Sequence, residues 1–166
     1  MNETTSVPNH HADYPGFSGL SGLVAALTMA VGRDDGPLAT ELSRIGTGDA
    51  LIDIGCGPGV AARHAAGLGA SVTGVDPAPV MLQVARLLTR RSHNVRYVEG
   101  VAEALPAADD SASVVWSIAA VHHWTDIDAG LREALRVLRR GGRLVAIERR
   151  TEPDAHGHAS HGWTVA

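Results

Sequence analysis

Apolar positions along this chain recur in two alternating patterns. Leu20, Leu23, Val24 and Leu27 repeat at helical spacing, so residues 18–31 are expected to form a helix with one apolar face, capped by Ser18 or Ser21. A second short helix is expected over about 37–45, leading through Gly46 and Gly48 into the first strand. From Asp49 the pattern shortens. Ala50-Leu51-Ile52-Asp53-Ile54 is nearly all apolar and ends at glycines, as a strand buried on both faces does. Further strands are predicted over 71–75, 95–98, 112–118 and 143–147, and helices over 60–68, 79–91 and 126–138. Strands alternating with helices at this spacing specify an α/β fold with a parallel sheet and right-handed crossovers.

Composition narrows the function classes. The chain has 166 residues, of which 45% are hydrophobic and 19% charged, enough to build a core. Eighteen acidic against 14 basic side chains give a net charge of −4, which argues against a surface made to hold nucleic acid or anionic lipid. Every basic residue is arginine, so chemistry that needs a lysine, such as a Schiff base or a P-loop, is excluded. Cys56 is the only cysteine, which excludes an internal disulfide framework and a multi-cysteine zinc site. No apolar run reaches the length of a membrane span, and the polar start (Asn9, His10, His11) is unlike a signal peptide. A reducing, cytoplasmic setting is the expectation.

The most informative segment is Asp53-Ile54-Gly55-Cys56-Gly57-Pro58-Gly59, at the end of the first strand and the start of a helix. Glycines there let the backbone turn sharply and approach a ligand, and the helix start offers free N–H groups and partial positive charge. The third glycine comes one residue early for a dinucleotide fingerprint, with Val60 in the expected slot. Asp76 follows the second strand, 17 residues beyond Gly59. A carboxylate there can accept from both hydroxyls of a ribose, at about 1.5–3 kcal/mol per charge-assisted bond. The plainer reading makes Asp76 the N-cap of the next helix, ahead of Pro77.

The succession ALIDIGCGPG, VTGVDPAPVML, VEGVAEALP, SIAAVHHWTD and LRRGGRLVAIE resembles class I S-adenosylmethionine-dependent methyltransferases, and within them the type 11 group that includes ubiquinone/menaquinone C-methyltransferases. The resemblance runs from about residue 13 to about residue 150. It implies a Rossmann-like parallel sheet with helices on both faces and extra N-terminal helices, and S-adenosyl-L-methionine as cofactor. Asp53, Gly55, Cys56, Gly57 and Gly59 would form the floor under its methionine part. Asp76 would hold the ribose, with Pro77 and Met81 near the adenine and Val101, Ala102 and Glu103 at the adenine edge. Ser117, Ile118 and Ala119 would line the methyl-transfer site. Cys56 is expected to be a small packing residue, since nothing pairs with it as a base. The chain departs from the group at Val101, where an acidic residue usually receives the adenine amino group. That lost bond is worth about 1 kcal/mol.

Methyl transfer from a sulfonium is an in-line displacement that needs a general base only when the acceptor loses a proton. The candidates are His122 and His123, past the fourth strand at the carboxyl end of the sheet. The plainer alternative has one of them capping the next helix with Trp124 packed beneath. Glu148 is a candidate to orient the acceptor, or else an ion-pair partner of Arg149 or Arg150. Tyr14 and Phe17 lie in a segment, residues 1–17, expected to be flexible and to act as a lid, or else to seal the core. Trp124 is a further candidate for the acceptor site. His156, His158 and His161 fit no rigid metal site at their spacing, and no metal is expected.

Three functional readings stay open on sequence: a methyltransferase acting on a small molecule, a cofactor-binding but inactive relative, and an NAD-type dinucleotide-binding protein. A nucleic-acid methyltransferase is not supported, because no Asn-Pro-Pro-Tyr-type motif follows strand four. Residues 18–150 are expected to form the cofactor-binding domain and 151–166 a polar, His-rich tail. The family's last strands are expected to be missing or truncated, which would leave strand five as an edge open to self-association into a homo-oligomer.

Overall fold

The computed structural model describes residues 19–32, 34–90 and 94–148, and the backbone of 150–151 and 163–164. The helices α1 (Gly19–Ala30) and α2 (Gly36–Ser43) precede β1 (Ala50–Ile54), α3 (Val60–Gly67), β2 (Ser71–Asp76), α4 (Pro79–Leu88), β3 (Val95–Glu99), β4 (Ala112–Ile118), α5 (Ile127–Val137) and β5 (Leu138–Ile147). Two-residue strands β6 (Arg150–Thr151) and β7 (Trp163–Thr164) pair separately, in parallel. Tyr14, Phe17 and the three tail histidines lie outside the described residues.

The main sheet is parallel throughout, with strand order β3-β2-β1-β4-β5. This is the doubly wound, Rossmann-like arrangement, with helices on both faces. Its topology reverses at β1, which has β2 on one side and β4 on the other; ligands of such folds bind beyond the carboxyl ends of the strands at that point. β1 is central because Leu51, Ile52, Asp53 and Ile54 are all buried.

Alternation along β1 splits the interior. Leu51 faces a cluster with Ala39 of α2, Ala62, Ala65 and Ala66 of α3, Leu82 and Ala85 of α4, and Trp116. Ile52 and Ile54 face the other, with Val75, Val115, Trp124 and the α5 residues Ala134 and Val137. Full burial of each large aliphatic contributes about 1.5–3 kcal/mol. The three alanines of α3 let that helix lie close to the sheet, which draws the glycine loop at its start over the strand ends. α1 packs on α4 through Ala26, Met81 and Val84.

Element boundaries differ from the sequence reading by more than two residues at two places. α4 stops at Leu88, where the Thr89 hydroxyl donates to the Ala85 carbonyl at 2.6 Å and faces the Tyr97 hydroxyl at 3.0 Å. β5 begins at Leu138 rather than at 143, because Leu138 pairs with Ala112 before a bulge, where Gly141 takes φ +77°. Regular pairing resumes from Arg143 opposite Val114 to Ile147 opposite Ile118. Among the described residues β5 is an edge of the main sheet.

Candidate functional site

The carboxyl ends of β1, β2 and β4 open into a cleft of two lobes that share Met29, Gly55, Gly57, Ile118 and Ala119. One lobe, of about 330 Å³, runs over Asp53, Cys56 and Pro58 toward Asp34 and Asp35. The other, of about 500 Å³, runs over Asp76, Pro77 and Met81 to Val101, Ala102 and Glu103, with His123 and Trp124 on its far wall. Both volumes suit a small-molecule ligand.

The glycine loop shapes the cleft by what it lacks. Gly55 (φ +72°) lies so close to Ala120 that a Cβ there would come within 2.4 Å of the Ala120 Cβ. Gly59 (φ +76°) is the N-cap of α3; a Cβ there would meet the Tyr97 hydroxyl at 2.2 Å. The Gly55 and Cys56 N–H groups both donate to the Val75 carbonyl, at 2.8 and 3.1 Å, tying the loop to β2.

Asp76 completes that tie. Its Oδ2 accepts from the Gly57 N–H at 2.8 Å and its Oδ1 from the Ala78 N–H at 2.9 Å. Ala78, not Asp76, occupies the N-cap of α4, so the simple capping alternative is set aside. Burial pushes the Asp76 carboxyl above its ordinary value, against the two backbone bonds that lower it. Asp53 is buried more deeply. Burial and then the charge of Asp76 push it up to about 7. The Cys56 thiol is driven well up, by burial first and then by both carboxylates, which disfavours a thiolate there.

The turn after β4 supplies the far wall. Ala119 takes φ +50°, a left-handed conformation that costs a non-glycine residue about 1–2 kcal/mol. Its N–H is held by the Ile147 carbonyl at 2.7 Å. A 3₁₀ turn, Val121–His123, follows, and Trp124 packs on Gly130 of α5. The helix is capped by Asp126, whose side chain accepts from the Ala129 N–H at 2.9 Å, and not by a histidine.

The predicted residues are therefore not equivalent. Asp53, Gly55, Cys56, Gly57, Asp76, Pro77, Met81, Val101, Ala102, Glu103, Ile118, His123 and Trp124 line the cleft. Gly59 lies behind it over Tyr97, and Ser117 is fully buried beneath its floor. Glu103 has one carboxylate oxygen committed to the Thr125 and Asp126 N–H groups at 2.7 and 3.1 Å. His122 and Glu148 do not line the cleft. Glu148 Oε1 accepts from the Val121 N–H at 2.6 Å and its Oε2 from His122 Nδ1 at 2.9 Å; Arg149 and the Arg150 side chain, its sequence-predicted ion-pair partners, lie outside the described residues. Sequence reasoning missed Met29, at the junction of the lobes, and Tyr97, under the glycine loop. Met29 carried no signal beyond an apolar helix position, and Tyr97 is recognised only once β3 is placed beside β2.

Among the described residues no cluster could hold a metal ion, and no helix is long and apolar enough to cross a membrane. A family model described as "Methyltransferase domain" matches residues 52–146, more than half of the chain. The chain belongs to this methyltransferase family. It is 36% identical over 112 residues to a demethylmenaquinone methyltransferase of Tropheryma whipplei (strain Twist), covering 66% of this chain and 46% of that protein. The structure of YcgJ from Bacillus subtilis superposes with a TM-score of 0.66 at 29% identity, over 72% of this chain and 52% of that one. A methyltransferase from Aquifex aeolicus shares the fold, with a TM-score of 0.72 at 15% identity, over 89% of this chain and 82% of that one. The chain thus spans about half the length of the curated relatives it matches.

The family's cofactor is S-adenosyl-L-methionine. The site fits it. Asp53 Oδ2 is buried without a hydrogen-bond partner among the described residues and lines the first lobe, where an ammonium group would satisfy it. Asp76 lines the second lobe, where ribose hydroxyls would reach it.

Proposed function

We propose that this chain moves a methyl group from S-adenosylmethionine to a small-molecule acceptor by in-line displacement. The observation that carries the proposal is the two-lobed cleft, with a buried, unsatisfied carboxylate oxygen of Asp53 in one lobe and the Asp76 carboxylate in the other. When bound, the cofactor supplies an electrophilic methyl group on a positively charged sulfur. The protein's part is alignment. Asp53 anchors the methionine amino group, Asp76 orients the ribose, and Pro77, Met81, Val101 and Ala102 enclose the base. Ile118 and strained Ala119 fix the position where the two lobes meet, and Met29 covers it against water. His123 lines the second lobe beside Trp124, and it is the candidate to take the acceptor's proton where the chemistry requires one. We assign the cofactor domain to residues 18–150 and a cytoplasmic setting, and we propose β5 as the edge through which copies associate.

The test is thermal melting with S-adenosylmethionine, S-adenosylhomocysteine and NAD in parallel. Ligand at a hundred times its dissociation constant stabilises by about 2.7 kcal/mol, a rise of roughly 2–4 °C for a chain of this size. The first two ligands are expected to give that shift. A shift with NAD alone would overturn the proposal.

A further inference from the structure

The turn that carries His123 and Trp124 into the cleft is tied down at three places. At its start, Ala119 is strained and its N–H is held by Ile147 at 2.7 Å. At its end, the Thr125 and Asp126 N–H groups converge on one oxygen of Glu103. Between them, both oxygens of Glu148 are used: Oε1 on the Val121 N–H at 2.6 Å, and Oε2 on His122 Nδ1 at 2.9 Å. A carboxylate only accepts, so Nδ1 carries the proton and the His122 tautomer is set. The pair is sheltered, with 7% of the His122 side chain exposed and 16% of Glu148. The His122 ring in turn meets that of His123, with centroids 4.0 Å apart and planes inclined by 45°.

We propose that Glu148 is a positioning residue: acting through His122, it holds the Val121–His123 turn so that the His123 imidazole faces the second lobe of the cleft. This deepens the functional reading above and rests on it for the role of His123. The chain of contact runs from the end of β5 through Glu148 and His122 to His123, and only the last member lines the cleft. The physical logic is that of supporting hydrogen bonds. A short 3₁₀ turn has poor hydrogen-bond geometry of its own, and a bidentate carboxylate that grips both its backbone and its first imidazole removes the freedom the turn would otherwise have.

Nuclear magnetic resonance on the full chain tests this, with imidazole and methionine-methyl labels and S-adenosylhomocysteine as the probe. In the wild type a slowly exchanging His122 Nδ1 proton is expected, and the probe is expected to shift the signals of His123, Met29 and Met81 together. Glu148→Ala is expected to lose the slow proton and move the His123 resonance toward its position in the unfolded chain, while the Met29 and Met81 responses persist. Glu148→Gln keeps one accepting oxygen and should restore part of the His123 signature. A His123 resonance that stays at its wild-type position in both variants overturns the proposal. So does a loss of the His123, Met29 and Met81 responses to the same degree, since that is only lost stability. Should Glu148→Ala fail to fold, the same criteria applied to Glu148→Gln decide. Silence of Met29 and Met81 in the wild type overturns the cofactor reading instead, and the His123 comparison without probe still decides the role of Glu148.

Discussion

The Asp76 carboxylate holds the Gly57 N–H at 2.8 Å, so the residue proposed to orient the ribose also fastens the glycine loop. On that proposal, ligand recognition and loop geometry are coupled through one side chain. Asp76→Ala leaves the Gly57 and Ala78 N–H groups without that acceptor, at about 1–3 kcal/mol for each that stays dry. Release of a costly buried charge offsets part of this. The expected net loss in urea unfolding is about 1–2 kcal/mol, accompanied by disappearance of the thermal shift with S-adenosylhomocysteine. A variant as stable as the wild type that still shifts would dissociate Asp76 from both tasks.

Asp53 makes a prediction about pH. Burial and then Asp76 push its carboxyl up to about 7, whereas in the unfolded chain it ionises at about 3.9. Between those values the folded chain keeps a proton that the unfolded chain has released. Stability from this site is therefore fully present below the unfolded value and is lost as the pH rises to about 7. Asp53→Asn removes the titration. Unfolding free energies at pH 5 and pH 8 should fall less in the variant, by on the order of a few kcal/mol. The same substitution should weaken S-adenosylhomocysteine by roughly tenfold or more, since a charge-assisted bond to its amino group is lost. Equal pH slopes in the two proteins would show that Asp53 is not desolvated as the fold implies.

What the sequence made legible follows from what was locally encoded. β1 and β4 could be read because nearly every residue is apolar and the glycine loop ends the first of them. The start of β5 could not, because Arg139, Arg140, Gly141 and Gly142 read as a turn while the bulge keeps Leu138 paired to Ala112. Placing the glycine loop and Asp76 over one cleft followed from their positions directly after the first and second strands. Separating His122 from His123 did not, because adjacent residues are told apart only by the 3₁₀ geometry and by the grip of Glu148. Tyr97 was invisible because its contacts, Gly59, Gly74 and Thr89, come from three other elements.

Tyr97 gives a prediction about packing. Gly59 sits at φ +76° with the Tyr97 hydroxyl where its Cβ would be, so Gly59→Ala meets both strain and overlap. Left-handed strain costs about 1–2 kcal/mol and overpacking about 1–3 kcal/mol. A loss of about 2–4 kcal/mol is expected in chemical denaturation. Tyr97→Leu combined with Gly59→Ala should recover the overlap part and leave the strain. If the double variant is no better than the sum of the single ones, the hydroxyl does not sit beneath the loop.

Gly130 sets two magnitudes against each other. It lies inside α5, where alanine favours a helix over glycine by about 0.8–1.0 kcal/mol. A Cβ there would come within 2.4 Å of the Trp124 ring, which lines the cleft and is 5% exposed. A rigid indole held between the helix and the sheet cannot give way as the tip of a flexible chain does, so overpacking of about 1–3 kcal/mol should outweigh the helix gain. Gly130→Ala is expected to lower the melting temperature although every propensity scale favours it. It should also shift the Trp124 emission and weaken S-adenosylhomocysteine, because the displaced ring moves into the second lobe. Trp124→Phe in the same background removes much of the overlap and should restore the melting temperature. A Gly130→Ala variant that melts higher than the wild type, with unchanged emission, would show that Trp124 does not rest on this helix.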